Sequence, residues 1–215
     1  MVLIVLILFF ISGCSVSLFN GYQKDLRYGG EEPVSWFRAD SGHFLFTTKI
    51  DMMKNHLSGL MVIKPLASGS CRVVFITEVG LKLLDMEFHP EKPVQIHYII
   101  DAMNRRALLN TLTNDLELVL MTRVPASEPK VLRPRHSQDI VFRYRDNGRK
   151  NDYTVALPDG RPYHVLQTAG IFKKVKADFF GTVTAGLDSI KIDHYNIRLK
   201  INLYRIIEEN NHAGE

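Results

Sequence analysis

Strand alternation fills most of this chain, and one stretch alone carries a helical stripe. Phe44, Phe46, Thr48 and Ile50 alternate with His43, Leu45, Thr47 and Lys49, a period of two. Apolar runs follow at Leu57 to Lys64, Arg72 to Val79 and Leu81 to Phe88, the last two meeting at Gly80. Turn-forming residues, Pro65 to Ser70, separate the first pair. After the strand Val94 to Ile100 the pattern changes. Leu108, Leu112 and Leu116 recur every four residues, broadened by Leu109 and Val119, which puts one apolar face on a helix. The spacing predicts that helix from about Ala102 to Leu112, N-capped by Asp101, with a second short turn starting at Thr113 or Asn114. Asp101 is also expected to bond His97.

Beyond a proline-bearing loop over 122–137, strand signals return. Ile140, Phe142 and Tyr144 alternate, Asn147-Gly148 marks a hairpin turn, and Tyr153, Val155 and Leu157 form the next strand before the turn Pro158-Asp159-Gly160. Tyr163 to Gln167 and Lys173 to Thr184 are further strands. Ile190 and Ile192 occupy even positions, whereas Ile197, Leu199, Ile201 and Leu203 occupy odd ones. A strand cannot change face without an extra residue or a bend, so a bulge or corner is expected across Asp193 to Asn196. The fold class is therefore mainly antiparallel β (α+β). Its many one-sided strands must close on themselves or wrap around something, because few helices are available to cover them.

The N-terminus addresses the chain. Val2 to Ile11 is an unbroken apolar run, too short for the roughly twenty residues that cross about 30 Å of hydrocarbon, but suited to a secretory signal. Ile11-Ser12-Gly13-Cys14 resembles the lipobox of bacterial lipoproteins, although no Lys or Arg precedes the apolar run. The resemblance implies cleavage before Cys14 and attachment of acyl chains to its thiol. The segments expected are a signal over 1–13, a lipidated tether over 14–35 with a short helix around Gln23 to Tyr28, a domain over 36–207 and a polar tail over 208–215. With Cys14 acylated, Cys71 has no intramolecular partner, and in its strand it reads as a small buried hydrophobe.

A net charge of +4 falls short of the basic field of nucleic-acid binders, so no nucleic-acid partner is expected. No Gly-x-Ser-x-Gly, no His-Glu-x-x-His and no phosphate-cradling loop is present, and the eight histidines lack metal-ligand spacing. No catalytic residue, metal or cofactor is expected; an envelope enzyme would need Ser, His and Asp gathered from distant positions.

The order of lipobox, tether, antiparallel strands, mid-chain helix and further strands is similar to the LolA and LolB superfamily of lipoprotein carriers and outer-membrane receptors. That resemblance implies an unclosed β half-barrel, with the helical segment covering its apolar concave face. It also implies a lipid-anchored monomer on the outer membrane, facing the periplasm, that receives acyl chains of lipoproteins from a soluble periplasmic carrier. Phe44, Phe46, Phe75, Phe142 and the Leu108, Leu112 and Leu116 stripe are the expected lining of the hollow and its lid. Arg72 to Leu81 resembles the receptor's third and fourth strands, whose loop carries an exposed leucine before a glycine to engage the membrane. Here Val79 precedes Gly80, and Glu78 replaces the family's proline. A plain hairpin turn at Gly80 is the other reading. In a different class altogether, the chain could be a structural or assembly lipoprotein that binds a protein partner and carries no lipid.

Overall fold

The computed structural model describes residues 21–25, 28–123, 128–182 and 184–207. Within them, residues Tyr22–Lys24 form β1, Phe44–Met52 β2, Asn55–Pro65 β3, Cys71–Ile76 β4, Lys82–Phe88 β5 and Gln95–Ile99 β6. Helix α1 spans Arg106–Leu120. Strands β7 (Lys130–Pro134), β8 (Ile140–Asp146), β9 (Arg149–Val155), β10 (Pro162–Ala169), β11 (Phe172–Thr182), β12 (Gly186–His194) and β13 (Leu199–Ile206) complete the strands among the described residues. All thirteen join one unclosed antiparallel sheet in the order β1-β7-β8-β9-β10-β11-β12-β13-β2-β3-β4-β5-β6. It is a half-barrel with one helix on its inner face. Residues before β2 are bonded into the same body: Gln23 pairs with Arg133, and the Ser35 hydroxyl donates to the Leu120 carbonyl at 2.8 Å.

Period-two patterning sets the inner face. In β2 the buried residues are Phe44, Phe46, Thr48 and Ile50, as the alternation requires. Registers carry this face across the sheet. Phe142 pairs with Tyr153, Tyr153 with Val165, Val165 with Ala177, Ala177 with Ile192, Ile192 with Ile201, and Ile201 with Ile50. A second row runs Phe46, Met61, Phe75, Leu84. The one buried ion pair on β8 and β9 is also a cross-strand pair: the Arg143 guanidinium donates twice to Asp152, at 2.6 Å each.

Several local expectations are corrected. The helix begins four residues later than its pattern suggested and continues eight residues further, to Leu120. The chain leaves β6 through a turn in which Met103 and Asn104 amides bond the Ile100 carbonyl, and Met103 is buried there. Arg105, not Asp101, holds the N-cap position, without a side-chain bond. Thr113 and Asn114 do not break the helix, because Leu116, Leu118, Val119 and Leu120 continue its buried face. His97 turns to Glu87 at 3.1 Å, which accepts also from the Ser70 hydroxyl. Tyr22–Lys24 is a strand where a short helix around 23–28 was expected. The phase change near Asp193 comes from a chain reversal, not from a bulge within one strand. β12 and β13 are separate strands of a hairpin, and Ile190 pairs with Leu203. An even residue facing an odd one keeps both on the inner face.

Candidate functional site

The concave face and α1 enclose the apolar interior. α1 contributes Leu112, Leu116 and Val119, and Met103 enters from the turn before it. The sheet supplies Ile50, Met61, Ile63, Phe75, Leu84 and, from its other half, Ile192, Ile201 and Leu203. What stays empty between them is an apolar cavity of about 10 Å³. That is room for about one water molecule, against the ~300–1,000 Å³ of ordinary ligand sites. In this conformation the side chains of α1 fill the hollow themselves.

Polar contacts fasten the helix along one flank. Asp115, fully buried, accepts from the His194 ring at 2.8 Å, and the His194 side chain is 5% exposed. One turn position away, the Asn114 amide bonds Gln167 of β10 at 3.3 Å, and Gln167 donates on to Asn151 of β9 at 3.0 Å. Arg149 also donates to Asn114. The Tyr153 hydroxyl donates to the Leu118 carbonyl at 3.2 Å. Its burial holds that phenol above its ordinary range, so it stays a neutral donor. Open polar clefts of about 420 and 240 Å³ run beside this flank. α1 is thus held by dispersion over its apolar stripe and by a short row of hydrogen bonds.

The residues singled out in the sequence separate into groups. Phe75, Leu112 and Leu116 meet at the cavity. Leu108 is half-buried and packs against the core without lining the cavity. Phe44 and Phe46 do not line it and pack with Phe37, whose ring is 4.9 Å from that of Phe44. Phe142 packs edge-on against Tyr28 at 5.5 Å, on the far half of the sheet. Val79 is exposed at the tip of the β4–β5 connection, and Gly80 beside it takes φ +85°, a conformation that disfavours any side chain. Thr77 closes this loop by accepting the Gly80 amide and bonding Leu81. Cys14 lies outside the described residues. Cys71 is buried in β4, and burial pushes its thiol up to about 12, far from a reactive thiolate.

The sequence places His194 near the corner, without metal-ligand spacing, and does not pair it with Asp115. The available signal was a carboxylate inside the apolar stripe, since Leu112, Asp115, Leu116 and Val119 follow helical spacing. Such a residue needs a buried partner. Among the described residues no group of three His, Cys, Asp or Glu could hold a metal ion. Among them, too, no helix is long and apolar enough to cross a membrane.

No family model matches the sequence, and no curated protein matches it. Solved structures do. A LolA superfamily protein from Nitrosomonas europaea superposes with a TM-score of 0.50 over 80% of this chain and 87% of that one, at 10% identity. The fold is LolA-like. A domain assigned to an outer membrane lipoprotein-sorting protein from Vibrio parahaemolyticus covers 81% of this chain and 86% of its own, with a TM-score of 0.42 at 11% identity. In the LolA-like half-barrel, the site described above is the space between the sheet's inner face and its covering helix.

Proposed function

We propose that this chain is a lipoprotein anchored to the outer membrane through acyl chains on Cys14, with its domain toward the periplasm, and that it receives acyl chains of lipoproteins or lipids between α1 and the sheet. A soluble periplasmic carrier would deliver them. The observation that carries this reading is a cavity with a wholly apolar lining, closed by a single helix on a LolA-like sheet. Entry requires α1 to lift, because about 10 Å³ cannot hold an acyl chain. Each methylene transferred from water contributes about 0.8 kcal/mol. That gain must exceed what is lost when the Leu112, Leu116 and Val119 contacts and the Asp115–His194 bond open. No nucleotide or catalytic group takes part.

The filled interior favours a second reading, a structural or assembly lipoprotein that binds a protein partner and carries no lipid. Two measurements separate them. Native mass spectrometry of the full chain extracted from membranes should show the Cys14 modification and, under the first reading, additional mass of one or more acyl ligands. Depletion of the protein should then strand lipoproteins at the inner membrane. An unliganded mass together with normal lipoprotein sorting would leave the second reading standing.

A further inference from the structure

Direction alternates along the sheet, so β8, β10, β12, β2 and β4 all end on one rim. The turns that follow them, 147–148, 170–171, 195–198, 53–54 and 77–81, therefore stand side by side in sheet order. Hydrogen bonds join neighbouring tips. The Met53 amide donates to the Arg198 carbonyl at 2.8 Å, and the Tyr195 amide to the Lys174 carbonyl at 2.9 Å. The Lys173 ammonium sits over the Tyr195 ring at 5.5 Å.

This rim is apolar where turns are ordinarily polar. Met53 is 80% exposed, Ile171 72% and Phe172 67%, and Tyr195 and Ile197 are exposed beside them. One exposed apolar side chain needs no explanation, but a contiguous row from adjacent hairpins does. The rim is basic as well. Segments 51–56, 76–82, 100–106, 145–150, 168–174 and 193–200 hold eleven Lys and Arg against five Asp and Glu. Their net of +6 exceeds the +4 of the entire chain, so the remainder is net negative.

We infer that this rim is a docking surface for an anionic lipid bilayer. Ile171, Phe172, Met53 and Ile197 enter the boundary between head groups and acyl chains, while Lys173, Lys174 and Arg198 stay at head-group level against lipid phosphates. The aliphatic tips decide against a nucleic acid, which would leave them in water. The inference stands on the rim alone and is independent of what the interior binds.

The test uses the full chain with a photo-crosslinking phenylalanine analogue at Phe172 or at Tyr195. Ala67, exposed in the β3–β4 connection at the opposite end of the sheet, serves as the control position. Each protein is irradiated on phosphatidylglycerol–phosphatidylethanolamine vesicles and on phosphatidylcholine vesicles, and lipid adducts are weighed by mass spectrometry. Adducts are expected at 172 and 195, on the anionic vesicles, and not at 67. Lys173→Ala with Lys174→Ala should raise the lipid concentration for half-maximal adduct about thirty-fold, at about 1 kcal/mol for each lysine. Three results would each overturn the inference: equal yields at 67 and 172, equal yields on both vesicle types, or adducts to protein in place of lipid.

Discussion

Asp85 is a buried carboxylate on β5 held by two cations. The Arg72 guanidinium donates to both its oxygens, at 2.9 and 3.1 Å, and the Lys82 ammonium at 2.8 Å. The Arg72 bonds, above all, pull its pKa from the usual 3.8 to about 2, against the opposing effect of burial. The folded chain thus takes up this proton less readily than the unfolded one. The stabilisation is complete above about pH 4 and is lost as pH falls toward 2, roughly 2 kcal/mol in all. Denaturant unfolding measured across this range should show Asp85→Asn with a shallower acid slope than the parent chain. The sequence does not disclose this pair, since Arg72 and Asp85 are thirteen residues apart and meet only because β4 and β5 pair in a register that places Val74 opposite Asp85.

At the scale of elements, α1 is held to the sheet by one apolar stripe and a short row of hydrogen bonds. Its apolar stripe was legible at Leu108, Leu112 and Leu116, but its limits were not. Asn114 looked like a break because its side chain competes with the backbone in isolated segments; here the competing group is spent on Gln167. Asp115→Ala should leave the His194 ring buried without its partner and cost about 3 kcal/mol. The loss should be local. Amide exchange should accelerate across Arg106–Leu120 while the protection of β3 and β13 is retained. Replacing both partners, Asp115→Leu with His194→Leu, should recover most of the protection, because it leaves no unpaired polar group inside.

For the whole molecule, one contiguous core runs through every layer of the half-barrel, from Val155 and Tyr153 through Ile192 and Ile201 to Phe75 and Leu84. A core without a boundary predicts a single cooperative transition. Trp36, the sole tryptophan, reports from one end of it: its indole donates to the Pro162 carbonyl at 2.8 Å, and the Arg161 guanidinium lies over its ring at 4.9 Å. Unfolding followed by Trp36 fluorescence and by the far-ultraviolet signal of the sheet should give coincident curves. Separate midpoints would mean that the β8–β10 half melts apart from the β2–β5 half.

The amino-acid sequence by itself determined what depends on neighbours along the chain. Period-two alternation specified β2, β8 and their inner faces, Asn147-Gly148 specified its hairpin, and a four-residue leucine spacing specified a helix between two strand-rich halves. These are local consequences of backbone geometry and side-chain burial, so they can be read without knowing where any strand ends up. Tertiary structure alone decided the rest. It placed β13 beside β2 and so fused two meanders into one sheet. It left Phe44, Phe46 and Phe142 out of the cavity lining that Phe75, Leu112 and Leu116 share. It packed α1 deep enough to fill the hollow, and it gathered hairpin tips from 53 to 198 onto one basic, apolar rim. Each of these follows from pairings between residues far apart in the chain, whose energies no local pattern encodes.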